Sequence, residues 1–186
     1  MDSHQALDDL KTIRQIMDRT QKMAGGHGGW FMILAGVTWL IGFTGSQFLP
    51  ERYAGWIWAA VNACGIIAMV WTGLRLRKHS GIRTPFWKPI FFYWLAMGIF
   101  AMLLAWLFNV KDSNQIGLLA LFVAALGYVQ MGLLFRSWLI GITGVLITVL
   151  ATGAFFLVPG YFALAMAILG GGLLIGSGAR MIRAGK

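Results

Sequence analysis

Three histidines, one cysteine and a few hydroxyl and amide side chains carry whatever chemistry this 186-residue chain can perform. His4, His27 and His79 stand far apart, in the N-terminal region, a glycine-rich stretch and a basic segment. A protein metal site needs several N, S or O ligands converging at short spacing; none of the three has such company, so no metal is expected. His27, within Gly25-Gly-His-Gly-Gly29, has the intrinsic pKa range of a pH sensor. With no second ionisable group beside it, an ordinary interfacial residue is the plainer reading. Cys64 has no partner in the chain, which removes intrachain disulfides and cysteine-based metal sites. Ser177, in Gly176-Ser-Gly178, is flanked like a nucleophile, but no histidine lies in any expected span to activate it. An axial haem ligand is missing for the same reason. The acids Asp2, Asp8, Asp9, Asp18, Glu51 and Asp112 all fall outside the apolar runs, so a membrane aspartyl pair is not available. These residues predict no catalytic site and no cofactor.

The remaining candidates are polar residues inside apolar runs: Thr38, Asn62, Gln130, Thr148 and Thr152. They could line a narrow path for a small solute. The plainer expectation is that they hydrogen-bond between helices and fix their register. No Asp, Glu, Lys, Arg or His accompanies them, whereas proton relays and ion-coupled carriers usually place such residues within the membrane despite the cost.

Long apolar elements must position these side chains. Uncharged runs extend over Met23–Pro50, Tyr53–Leu74, Pro89–Val110, Ser113–Phe135 and Ser137–Ala179. A membrane helix needs about 20 apolar residues, so each of the first four suits one span. Pro159-Gly160 divides the fifth, because proline cannot continue a helix ladder and glycine accepts the turn. An all-α membrane protein of six transmembrane helices follows. Its 59% hydrophobic content, 11% charged content and mean hydropathy of +0.74 argue against a soluble domain.

The net charge of +9 is explained by topology and not by nucleic acid, which is not expected as a partner. With a cytoplasmic N-terminus, every basic residue except Arg52 and Lys111 falls on the inner side. This positive-inside asymmetry predicts both termini cytoplasmic, in a bacterial inner membrane. Trp30, Trp87 and Trp138 mark inner ends, and Trp56, Trp58, Trp106 and Tyr161 outer ends, as interfacial rings do. Arg75, Arg77, Lys78, Arg83, Lys88, Arg136, Arg180 and Arg183 are the candidate contacts to anionic lipid headgroups.

Ahead of the spans, residues 1–24 read as a cytoplasmic amphipathic helix, strongest over residues 3–23, followed by a glycine hinge at 25–29. Leu7, Leu10, Ile13 and Met17 recur at three- and four-residue steps as one apolar stripe. Asp8, Lys11, Gln15, Asp18, Arg19 and Lys22 take the other face. The plainer reading lays the stripe on the inner leaflet or against the bundle's cytoplasmic ends; the sharper one docks a protein partner or a second copy, and mixed charge weakens a purely lipid-binding helix. The acids exclude a cleavable signal peptide.

The membrane domain, residues 30–183, reads as one helical hairpin written three times, over about 30–79, 87–137 and 138–185, with a period of about 50 residues. The second helices end alike in Gly73-Leu-Arg-Leu-Arg77, Gly132-Leu-Leu-Phe-Arg136 and Gly178-Ala-Arg-Met-Ile-Arg183. Eight residues before those glycines stand Gly65, Ala124 and Gly170. Small residues let helices approach closely in lipid. Gly170, Gly172, Gly176 and Gly178 are therefore expected to pack the last span within the bundle; the spacing of Gly172 and Gly176 also suits a homodimer face.

Residues 30–185 resemble the HdeD-like family of small six-span bacterial inner-membrane proteins. The resemblance rests on Leu34-Ala-Gly-Val37, the outer-turn prolines Pro50 and Pro159, and the Gly-to-Arg endings. The middle hairpin departs from it by turning through Asn109–Asn114 without proline, and the charged N-terminal helix is atypical. The resemblance implies a non-catalytic membrane protein associated with stress. The resulting expectation is a non-enzymatic scaffold or stress-related component with cytoplasmic partners. The alternative is a small-solute transporter or the membrane subunit of one.

Overall fold

Without water, every backbone N–H and C=O in a hydrocarbon layer must find its partner within the protein, and a helix satisfies both along its own length. The computed structural model describes residues 28–80 and 87–184, with side chains over 28–75 and 90–184. Six of its helices are long and apolar enough to cross a membrane. Over the described residues the chain is thus an all-helical, multi-pass membrane protein.

The elements are α1 (Gly28–Phe48), α2 (Ala54–Ser80, entered through a 3-10 turn at Glu51–Tyr53), α3 (Trp87–Leu107), α4 (Ser113–Leu134) and α5 (Trp138–Leu157). The sixth span begins with a turn at Pro159–Tyr161 and continues as α6 (Phe162–Ala165). It then passes through a π-helical stretch, Met166–Gly171, into α7 (Gly172–Ala184). The expected division of the last long run at Pro159-Gly160 is present. The π-helical stretch was not expected; its wider turn brings the neighbouring glycines Gly170 and Gly171 both onto the buried side.

Local chemistry explains the turns. Asp112 caps α4, its carboxylate accepting from the Gln115 amide at 2.8 Å. At the other end of α4, the Ser137 N–H donates to the Gly132 carbonyl and the Arg136 N–H to that of Leu133. These are the paired bonds of a Schellman ending. Arg136 occupies its left-handed position, φ 49°, where glycine is the cheaper residue.

The core runs between α4, α5 and the sixth span, with α1 against it. Leu121, Ile147, Phe162, Met166 and Leu174 are its largest fully enclosed apolar side chains. An extensive helix–helix contact joins α4 to α5, across the boundary between the second and third of the expected hairpins. In contrast, the candidate spans of α2 and α3 contain no buried residue. They flank the bundle: α2 lies along α1 through Gly65 against Thr38 and Gly42 against Trp58, and α3 along α4 through Trp94 against Gly127. Trp58 departs from the interfacial expectation. It turns inward, half-buried, with its ring edge-on to Phe43 at 4.8 Å. Trp56, Trp106, Trp138 and Tyr161 remain exposed at span ends.

The amphipathic helix and its candidate docking residues Leu7, Leu10, Ile13 and Met17 lie outside the described residues, as do His4, His27 and Arg83. The side chains of Arg77, Lys78, His79 and Lys88 are likewise outside them.

Candidate functional site

Glycine sets how closely the helices meet. Along α1 and the sixth span, Gly29 faces Gly178 and Gly36 faces Gly171, in antiparallel register. A Cβ on Gly29 would fall 2.6 Å from the Gly178 carbonyl oxygen, and one on Gly178 would fall 2.5 Å from that of Gly29. Gly36 and Gly171 mirror this at 2.7 and 2.9 Å. The second seam joins α4 and α5. There a Cβ on Gly144 would lie 2.5 Å from the Ala125 carbonyl, and one on Gly132 would strike the backbone of Gly141. Side chains are excluded from both seams, and dispersion between backbones holds them.

Of the four glycines expected to pack the last span, Gly170 and Gly178 do so; Gly170 sits against Met166 and Trp39. Gly172 and Gly176 do not. A Cβ on either would meet nothing within 4 Å, so the in-bundle expectation is corrected for these two. Successive helix residues lie about 100° apart, which turns them away from the face carrying Gly171, Leu174 and Gly178.

The five polar candidates do not converge. Thr38 donates to the Leu34 carbonyl, Asn62 to Trp58, Thr148 to Gly144 and Thr152 to Thr148, each four residues back on its own helix. In hydrocarbon the nearest acceptor is the second lone pair of the carbonyl one turn back, and these short side chains reach it before any neighbouring helix. Neither a path nor the expected interhelical bonds arise from those four. Only Gln130 bridges, accepting from the Tyr93 hydroxyl of α3. Thr148 also lines a shallow groove of about 310 Å³ with Phe122, Leu126, Val129, Val145 and Val149, an open and mostly apolar furrow between α4 and α5.

The polar contacts between helices come instead from residues to which the sequence reading gave no such role. The hydroxyls of Thr143 on α5 and Ser177 on α7 share a hydrogen bond at 2.9 Å; both are buried. Thr143 also reaches its own Leu139 carbonyl, so Ser177 is not a free nucleophile but one end of a core contact. At the opposite end of the bundle, Gln47 of α1 holds the final turn with both ends of its amide. Nε2 donates to the Gly160 carbonyl at 3.0 Å, and Oε1 accepts from the Leu164 amide at 3.2 Å. Asn114 of α4 donates to the Pro159 carbonyl at 3.0 Å. The turn at Pro159–Tyr161 is thereby fastened to α1 and α4.

Four of the six basic residues whose side chains are described gather at the other end. Arg75 lies toward the end of α2 with its guanidinium 3.7 Å from the Trp71 ring centroid, a cation–π contact one helical turn apart. Arg136 sits on the α4–α5 turn, and Arg180 and Arg183 in the last turns of α7; all three are exposed. Alternating helix direction puts these residues on one rim and Arg52 and Lys111 on the other. Among the described residues, no cluster of His, Cys, Asp or Glu is suited to hold a metal ion. The chain matches no protein-family model, no curated protein and no solved structure.

Proposed function

We propose that this chain is a non-enzymatic integral protein of the bacterial inner membrane, with both termini cytoplasmic, acting as a scaffold or stress-related component. Its partners meet it on the cytoplasmic face. The observation that carries this reading is the contrast between interior and rim. Among the described residues the interior is packed by apolar side chains and two glycine seams, and its buried polar pair, Thr143 and Ser177, is hydrogen-bonded, while exposed arginines crowd one end. A rim of Arg75, Arg136, Arg180 and Arg183 suits anionic headgroups of the inner leaflet, and it is the rim that the positive-inside rule assigns to the cytoplasm. The amphipathic N-terminal helix, through Leu7, Leu10, Ile13 and Met17, is the proposed docking element for a protein partner. The three-hairpin repeat and the resemblance to the HdeD-like family support the same reading.

Gentle-detergent purification of the full chain and of a form lacking residues 2–23 tests it. Partners that co-purify with the full chain alone support the proposal; an identical set with both removes the docking helix. Solute flux in liposomes that Thr148→Val and Thr152→Val abolish without loss of folding would replace the scaffold by the transporter alternative.

A further inference from the structure

Asn62 is a carboxamide on the outside of a membrane helix. It lies 11 residues from Glu51 and 13 from Arg75, at the middle of the second span, and its side chain is exposed. One N–H of Nδ2 donates to the Trp58 carbonyl at 2.8 Å. Among the described residues the carbonyl oxygen Oδ1 accepts nothing, and the second N–H is unused. At that depth no water is at hand to serve either atom.

The surroundings of Asn62 suit a close neighbour. Gly55, Ala59 and Ile66, at helical steps of seven, three and four residues, share its side of α2 and are all exposed. A Cβ on Gly55 would meet nothing within 4 Å. The contact with α1, through Ile57, Trp58 and Gly65, adjoins this face at Asn62: Trp58 and Gly65 lie about 40° and 60° around the helix to one side of it, and Gly55, Ala59 and Ile66 to the other.

What covers this face follows from symmetry and hydrogen-bond chemistry. Copies of one membrane protein insert in one orientation, so a two-fold axis relating two of them runs along the membrane normal. Two α2 helices meeting on that axis are parallel and place identical residues at identical depth. A carboxamide is both donor and acceptor, so Asn62 is complementary to itself. The small residues alone would name no occupant; the unpaired amide at mid-depth does.

We propose that the Gly55–Ala59–Asn62–Ile66 face of α2 is the interface between two copies of this chain, with the two Asn62 side chains hydrogen-bonded across the axis. The interface does not depend on the scaffold reading above and leaves the basic rim free.

Cys64 gives the test an internal control. It is exposed but two residues from Asn62, about 200° around the helix, away from the proposed contact. Oxidative cross-linking in native membranes of full-length Cys64→Ala/Ala59→Cys should give a disulfide-linked dimer, and the wild-type protein little or none. Energy transfer between labelled copies in liposomes should show dimerisation weakened about tenfold by Asn62→Leu and partly restored by Asn62→Gln. Because Asn62 bonds only its own helix among the described residues, Asn62→Leu should keep the wild-type melting profile at monomeric dilution. A monomeric wild-type protein, unchanged dimerisation in Asn62→Leu, preferential linkage through Cys64, or linkage of Ala59→Cys to a different protein would each overturn the proposal.

Discussion

Gly36 and Gly171 each stand where the other's side chain would begin: a Cβ on either falls within 2.9 Å of its partner's carbonyl oxygen. The first and last described spans are locked backbone to backbone at this point, and again one heptad away at Gly29 and Gly178. Clashing atoms here belong to main chains, which cannot swing aside. Gly36→Ala or Gly171→Ala should therefore destabilise the folded protein by about 1–3 kcal/mol, the usual cost of overpacking. Gly172→Ala and Gly176→Ala, with open space around them, should be neutral or slightly stabilising through helix propensity. Thermal unfolding of the four variants in one detergent checks the contrast.

Thr143 and Ser177 offer a second test. Their buried hydrogen bond joins α5 to α7. A double-mutant cycle of Thr143→Val and Ser177→Ala should return a coupling of about 0.6 kcal/mol, with about 1.7 as the upper bound for such bonds in membranes. Zero coupling would mean that each hydroxyl is served by its own helix.

Gln47 holds the Pro159–Tyr161 turn and the Leu164 amide through one side chain. Replacement by leucine removes both bonds. The Leu164 amide loses one of them, of about 1 kcal/mol, so exchange of its hydrogen should quicken roughly fivefold. Hydrogen-exchange mass spectrometry of the peptide spanning the turn measures it, and amides of α5 around Thr143 should be unaffected.

Arg136 holds a left-handed backbone position that glycine would occupy more cheaply, by about 1 kcal/mol. Arg136→Gly should raise thermal stability in neutral detergent. The same substitution should shrink the extra stabilisation given by anionic lipid, because it removes one charge from the rim. Melting curves with and without phosphatidylglycerol separate the two effects, which have opposite signs.

How far the sequence discloses all this depends on which physical signal it encodes. The six spans and the break at Pro159 are legible because hydropathy and proline act locally. The Gly-to-Arg endings led to Gly170 and Gly178, which pack. The other glycines of the last span, Gly172 and Gly176, do not pack, because core-facing and lipid-facing positions are equally apolar and periodicity cannot sort them. Gly29 and Gly36 share the seven-residue spacing of Gly171 and Gly178, a readable hint of an antiparallel seam. Pairing them requires knowing that the first and sixth spans are neighbours, which no local pattern carries. Thr38, Asn62, Thr148 and Thr152 were legible as polar residues in apolar runs; that each bonds its own helix is a competition between acceptors settled only in three dimensions. Gln47 and Asn114 carry no signal in the sequence, because polar residues are ordinary at a span's end.

The central claim is that this protein works through its cytoplasmic face. Site-specific photo-cross-linking in living cells tests it most directly, with a photoreactive residue placed in the full chain at Leu10, at Ile13 and, as the polar-face control, at Asp8. The account predicts one discrete protein adduct, formed from Leu10 and Ile13 and absent from Asp8. Adducts to lipid alone, or the same protein adducts from all three positions, would contradict it.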